Sequence, residues 1–97
     1  MAISIIFMKL TDQGARNIKE APQRIEQGIK AFEAMGGKML EFYATMGEWD
    51  YVAIGEGPSE ELAMIFTMGL GSLGNVRTTT LRAFTREQFA EMVRRLP

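Results

Sequence analysis

Met46-Gly47-Glu48-Trp49-Asp50 separates two stretches whose composition is typical of β-strands, residues 38–46 and residues 50–55. The two stretches can pair only if the chain reverses between them. Gly47 permits the positive φ that a tight hairpin turn requires. We therefore predict a central β-hairpin here, and the remaining elements can be placed on either side of it.

Before the hairpin, the sequence predicts one strand and one helical region. The apolar run Ala2–Leu10 is too short for a core helix and is typical of a strand. Its two faces, Ile3-Ile5-Phe7 and Ser4-Ile6-Met8-Leu10, are both largely apolar. The helical region is expected to begin with a short turn near residues 13–19. A main helix then follows with Pro22 in its first turn and Gly36-Gly37 at its end.

After the hairpin, the sequence predicts a helix, a strand and a terminal helix. Gly55-Glu56-Gly57-Pro58 is expected to end the third strand, and Ser59 to cap the second helix. Residues 75–83 are β-branched and predict the fourth strand. Thr85-x-x-Gln88 is a capping box for the last helix. The apolar stripes of these two helices are Leu62, Ile65, Phe66 and Gly69, and Phe89, Met92, Val93 and Leu96.

The predicted order is β-α-β-β-α-β with a C-terminal helix. It indicates an α+β, ferredoxin-like fold in which a four-stranded antiparallel sheet carries helices on one face. A length of 97 residues suits one domain, residues 1–97. Gly69-Leu70-Gly71-Ser72-Leu73-Gly74 follows a helix and precedes a strand, the reverse of the order in phosphate-binding loops, so it predicts a helix end.

The first and third predicted strands are apolar on both faces, although a single sheet of this kind has one face in water. An exposed apolar sheet face usually marks a partner surface. We therefore predict a homodimer whose sheets pack face to face to form a barrel, and larger homo-oligomers remain open. The alternative is that the terminal helix crosses over and covers the second face.

Composition excludes several kinds of chemistry. The chain contains no cysteine and no histidine, which excludes disulfides, His-ligated haem and a His-based catalytic triad. We expect no metal and no cofactor. The formal net charge is −1 and no basic stripe is present, so we expect neither nucleic acid nor a membrane as partner. The N-terminus lacks the features of a signal peptide, and we expect a cytoplasmic protein.

Three stretches together resemble the GYD-domain family. They are Thr11-Asp12-Gln13-Gly14, the hairpin from Thr45 to Asp50, and the long run from Gly71 to Thr85. The resemblance covers almost the whole chain. The family's hairpin pattern usually carries Tyr where this chain has Trp49, which lacks the phenol hydroxyl.

The resemblance implies a member of the dimeric α/β-barrel superfamily, in agreement with the double-sided strands. The GYD family consists mainly of small bacterial and archaeal proteins whose role is not established. Its distant relatives include cofactor-free monooxygenases, haem-degrading enzymes, small isomerases and effector-binding modules. A shared fold does not choose between these activities.

Five residues are candidates for a ligand site: Tyr43, Trp49, Asp50, Arg77 and Thr79. Arg77 would bind the carboxylate or phosphate of a small ligand, with Tyr43 and Thr79 as hydrogen-bonding neighbours. Alternatively, Arg77 forms an ion pair with Glu41 or Asp50, within the sheet or between subunits. A separate alternative for the turn is that Trp49 and Asp50 only shape the hairpin, with Asp50 bonding local backbone amides and Trp49 covering the sheet edge.

Two functional classes follow. The first is a small homodimeric module that binds a small molecule or a protein, or that serves as a unit of assembly. The second is a cofactor-independent monooxygenase or isomerase that acts on a small molecule in the barrel cavity, with Arg77 and Asp50 for orientation or proton transfer and Tyr43 and Trp49 as walls. The absence of groups that titrate near neutral pH favours the first class.

Overall fold

The elements follow the predicted order in the computed structural model of the protein, which describes residues 1–97. They are β1 (Ala2–Leu10), α1 (Asp12–Arg16), a 3-10 turn (Ile18–Glu20), α2 (Ala21–Ala34), β2 (Lys38–Ala44), β3 (Tyr51–Gly57), α3 (Glu60–Ser72), β4 (Val76–Ala83) and α4 (Arg86–Arg94). Pro22 lies in the first turn of α2, as predicted. Gly36 and Gly47 adopt positive φ, one after α2 and the other in the hairpin turn.

The four strands form one antiparallel sheet in the order β2-β3-β1-β4. Helices α2 and α3 cover one face of this sheet, and the predicted ferredoxin-like α+β fold is confirmed. The buried core lies between the helices and that face. It consists of Ile6, Met8, Phe32, Tyr51, Ala53, Leu62 and Phe66.

The buried side chain of Phe32 explains why β3 is longer than predicted. Gly55 was expected to break the strand, but β3 continues to Gly57. A Cβ atom on Gly55 would lie 3.0 Å from the ring of Phe32, and one on Gly37 would lie 2.5 Å from it. Gly55 therefore makes room for the Phe32 ring inside a continuous strand, and its glycine is a packing requirement rather than a strand end.

Strand β2 differs from the prediction in its faces and in its end. A β-bulge between Met39 and Glu41 interrupts its pairing with β3. Met39 therefore packs against the core, whereas Glu41 and Tyr43 lie on the opposite face of the sheet. Strict alternation from Lys38 to Met46 would place all three residues on one face, because it does not anticipate the extra residue that a bulge inserts. The strand ends at Ala44 instead of residue 46.

Helix α4 projects from the body of the molecule, whose extents are 53 × 30 × 19 Å. The predicted capping box between Thr85 and Gln88 is present. No residue of α4 is buried, and no other helix or strand packs along it. The terminal helix therefore does not cover the second sheet face, and that alternative is wrong for the single chain.

Residues 11–14, at the start of α1, contact residues 73–75, which follow α3. The Thr11 backbone N–H donates to the Asn75 carbonyl (3.0 Å), and the Thr11 hydroxyl donates to the Gly74 carbonyl (2.5 Å). The Gln13 amide donates to the Leu73 carbonyl and to the Asn75 side chain. Gly74 has a φ of 83° and ends the α3 connection, as predicted. We call this set of contacts the α1 clamp.

Candidate functional site

The sheet face that the helices leave uncovered is apolar along its middle. We call it the open face. Three rows of paired residues cross it from β2 to β4: Tyr43-Val52-Phe7-Thr79, Glu41-Ile54-Ile5-Leu81, and Lys38-Glu56-Ile3-Ala83. The predicted two-sided character of β1 and β3 is therefore confirmed. An apolar surface between polar margins is typical of an interaction site.

The structure brings four of the five candidate site residues to the open face. Tyr43 and Thr79 lie at opposite ends of one row. Arg77 lies two residues before Thr79 on β4 and therefore faces the same side of the sheet. The Trp49 ring packs on Phe7, with the ring centroids 5.4 Å apart. These residues therefore share a face but are spread across its full width instead of lining one small pocket.

Asp50 has a structural role at the hairpin. Its Oδ2 accepts a hydrogen bond from the backbone N–H of Leu10 (2.8 Å), and its own N–H donates to the Met8 carbonyl (2.9 Å). The predicted bonding of Asp50 to backbone amides is present, but the amide belongs to the distant strand β1 and not to the turn. This carboxylate joins the hairpin to the end of β1.

Replacing Asp50 with alanine is expected to lower the free energy of unfolding by about 1–2 kcal/mol, because the Leu10 N–H loses its acceptor. Asp50→Asn retains a carbonyl oxygen at the same place and should cost less than about 1 kcal/mol. Urea denaturation at a fixed protein concentration measures both. Equal losses for the two variants would mean that the hydrogen bond to Leu10 does not matter.

Tyr43 and Glu41 form a polar pair at the β2 margin of the open face. The Tyr43 hydroxyl donates a hydrogen bond to Glu41 Oε2 (2.8 Å). This hydrogen bond and the negative charge of Glu41 raise the pKa of the Tyr43 phenol above its ordinary value. Since the phenol stays protonated at neutral pH, it can donate a hydrogen bond but cannot act as a base there.

The substitution Glu41→Gln is expected to lower the pKa of Tyr43, because it removes the negative charge that opposes phenolate formation. The absorbance of phenolate during an alkaline titration measures the change. Tyr43→Phe serves as the control, because it shows the titration of Tyr51 alone. An unchanged pKa for Tyr43 in the Gln variant would show that Glu41 does not contact it in solution.

Arg77 lies opposite another cation. It pairs in register with Lys9, and neither side chain forms an ion pair within the chain. The Lys9 ammonium instead lies 5.5 Å from the centroid of the Trp49 ring. Like charges directly opposite on paired strands are unfavourable. This end of the open face therefore attracts anions.

The predicted ion pair within the sheet is wrong. Glu41 lies on β2 and Arg77 on β4, three strand spacings apart, which is about 14 Å at the usual spacing of neighbouring strands. The other candidate, Asp50, accepts the Leu10 N–H. The prediction that Arg77 forms an ion pair between subunits is not tested by the single chain. Lys9 was not singled out from the sequence, because its importance comes from the register between β1 and β4.

A second apolar surface lies on the helix side of the sheet and was not predicted. Helices α2 and α3 meet where the Phe32 and Phe66 rings pack 4.8 Å apart, and elsewhere they stand apart. The space between them is an apolar groove of about 740 Å³. We call it the α2–α3 groove. Its walls include Ile25, Gly28 and Ile29 from α2 and Ile65, Gly69 and Leu70 from α3.

The side chains at these surfaces can make apolar contacts, hydrogen bonds and contacts with anions. No three acidic side chains lie close enough together to hold a metal ion. The helices lack the length and apolar character that would be required to cross a bilayer. The open face offers apolar contact, one phenol hydroxyl and unpaired cations, which suits recognition of another surface or of an anionic group.

Comparison with known proteins agrees with this architecture. The chain is 30% identical over 97 residues to a Thermus thermophilus protein named "Glutamine synthetase and cystathionine beta-lyase binding protein", and the match covers 99% of each chain. The crystal structure of TTHA0845 from Thermus thermophilus is similar with a TM-score of 0.55 and 25% identity, over 88% of this chain and 95% of that one. A hypothetical protein from Pyrococcus horikoshii, PHS023, has the same fold with a TM-score of 0.55 and 19% identity, over 89% of this chain and 93% of that one. The model of the GYD domain matches residues 5–93. The chain therefore belongs to the GYD-domain family.

Proposed function

We propose that this protein is a homodimeric binding module of the cytoplasm whose protein partner is a metabolic enzyme. The observation that carries the proposal is the apolar open face, centred on Phe7, Val52, Ile5 and Ile54. Two such faces packed together would remove this surface from water. A standard or obligate interface of this kind buries about 1,600 Å² or more.

The enzyme partner is inferred from the relative's name. That relative is described as binding glutamine synthetase and cystathionine beta-lyase. Its match to this chain extends from end to end, so a shared partner class is a reasonable inference. We therefore propose that this protein binds at least one of these two enzymes.

Co-migration in size-exclusion chromatography tests the enzyme partner. The full-length protein is mixed with purified glutamine synthetase, and separately with purified cystathionine beta-lyase, each from the same organism. We expect one of the two enzymes to elute earlier together with this protein. An unrelated enzyme of similar size is the control. Separate elution of both enzymes at micromolar concentrations would contradict this partner class.

A second candidate function is recognition of a small anion at the end of the open face. The unpaired cations Lys9 and Arg77 favour it, with Trp49 and Thr79 beside them. Charge-assisted hydrogen bonds from a guanidinium suit carboxylate and phosphate groups. A cofactor-independent reaction at this site has less support, because Asp50 is held by the Leu10 amide.

Calorimetric titration with citrate and with inorganic phosphate tests the anion site. We expect Arg77→Gln to weaken binding by about tenfold or more, since one charge-assisted hydrogen bond is worth about 1.5–3 kcal/mol. Arg86→Gln on α4 is the matched control, because it removes the same charge far from the open face. The absence of binding to the unchanged protein, or equal binding to both variants, would contradict the site.

A further inference from the structure

We propose that helix α4 of one copy of this protein docks into the α2–α3 groove of a second copy. This interface is separate from the open face and does not depend on the proposed enzyme partner. Besides the open face, two apolar surfaces of the chain have no cover: one stripe along α4, and the groove between α2 and α3. In the proposed interface, the α4 stripe of one copy covers the α2–α3 groove of another copy.

The α4 stripe has the pattern of a docked helix. Phe89, Met92 and Val93 follow the spacing i, i+3, i+4 and share one side of the helix, and Leu96 continues this apolar run two residues after the helix ends. Phe89 is 62% exposed and Leu96 is 69% exposed. A helix of nine residues is marginal without tertiary contacts, even when a capping box begins it. Helix α4 therefore needs a partner surface to remain ordered.

The groove has the dimensions and the walls that such a helix requires. Helix α4 is about 13.5 Å long at 1.5 Å per residue, and α2 is about 21 Å long. Two glycines in the helix interiors, Gly28 and Gly69, line the groove. A Cβ atom on either would meet nothing within 4 Å. Walls without side chains at these points let another helix approach closely, as small residues do at tight helix contacts.

The position of α4 excludes docking into the groove of its own chain. Helix α4 follows Ala83, which pairs with Ile3 at one end of the sheet. The groove runs along β1 from Ile6 to Leu10, and Val76 lies at its far end. Measured along β1 from Ile3, the groove therefore begins at about 10 Å and ends at about 23 Å, and only Phe84 and Thr85 connect β4 to α4.

Helix α3 also stands in the way. It packs on β4, and the Arg82 guanidinium forms an ion pair with Glu60 at the start of α3 (3.1 Å). A helix that returned from the end of β4 would have to pass over α3 to reach its own groove. The occupant is therefore a second copy.

Disulfide trapping between different variants tests the proposal, because the natural chain has no cysteine. Full-length Phe89→Cys is mixed with full-length Gly69→Cys under mild oxidation, and intact masses identify the mixed disulfide. Gly71→Cys is the matched control. Gly71 is also a glycine of α3 with open space around it, but it does not line the groove.

We expect the mixed disulfide with Gly69→Cys to form at least about tenfold faster than that with Gly71→Cys. Equal rates, or no mixed product, would overturn the proposal. A double variant that carries both Phe89→Cys and Gly69→Cys distinguishes docking within one chain from docking between copies. If it closes into a monomeric disulfide at high dilution, the occupant is the chain's own helix and the proposal is wrong.

Filling the groove provides an independent measurement. Gly69→Leu places a large side chain in the groove at a position where a Cβ atom meets nothing within 4 Å, and leucine favours a helix more than glycine does. The leucine is added to the chain that carries Gly28→Cys. We expect Gly69→Leu to slow formation of the disulfide between this chain and the Phe89→Cys chain by about tenfold or more, whereas Gly71→Leu leaves the rate of formation unchanged. An unchanged rate in the Gly69 variant would contradict docking in the groove.

Discussion

Replacing Leu81 with glutamate is expected to convert the proposed face-to-face dimer into a monomer at micromolar concentrations. Leu81 lies on the open face opposite Ile5, and its side chain is 49% exposed in the single chain. The substitution should therefore leave the monomer folded. In a face-to-face dimer the same position is covered, and each subunit then buries an unpaired carboxylate.

The expected magnitude follows from burial of that charge. An uncompensated charge in an apolar interface costs about 3–5 kcal/mol. The dimer would bury two such charges, so we expect it to weaken by at least about a hundredfold to several thousandfold. Sedimentation velocity over a series of concentrations measures the dissociation constant. Circular dichroism verifies that the variant is folded.

Met64→Glu is the control for this experiment. Met64 is 61% exposed on α3, and its replacement introduces the same charge and removes a similar apolar side chain. It lies on the helix side of the sheet, so the dimer of the open face should persist. A monomeric unchanged protein, or equal association of both glutamate variants, would show that the open face is not the dimer interface.

The sequence predicted the fold well because its strongest signals are local. The short apolar run Ala2–Leu10, the cap at Ser59 and the capping box at Thr85 each depend on neighbours within a few residues, and all three predicted features are present. Simple alternation along β4 also puts Arg77, Thr79 and Leu81 on one side, which is where the structure has them. Short-range stereochemistry determines these features.

The errors arose where a distant residue decides the local structure. Gly55 remains within a strand because the Phe32 ring lies on it, and the β2 bulge places Met39 against the core. The site was harder still to predict. The pairing of Lys9 with Arg77 depends on the register of two strands, and the α2–α3 groove depends on how far apart two helices stand. The glycines at positions 28 and 69 were the only sequence signal of that groove.

Replacing Gly14 with alanine is expected to destabilise the protein by about 3–5 kcal/mol. A Cβ atom at this position would lie 2.1 Å from the carbonyl oxygen of Asn75, which is a backbone atom that cannot rotate away. The added methyl group must separate α1 from the start of β4. Overpacking of this kind costs about 1–3 kcal/mol, and each hydrogen bond lost from the α1 clamp adds about 0.5–1.5 kcal/mol.

Gly28→Ala is the matched control, because the same substitution should change the free energy of unfolding in the opposite direction. Gly28 lies inside α2, and a Cβ atom there meets nothing within 4 Å. Alanine is about 0.8–1 kcal/mol more favourable than glycine in a helix interior, so this variant should be slightly more stable. Urea denaturation of both variants at one protein concentration gives the comparison, because the stability of an associating protein depends on concentration. A loss below about 1 kcal/mol for Gly14→Ala would mean that the α1 clamp yields easily, so that the stretches 11–14 and 71–75 do not depend on close contact with each other.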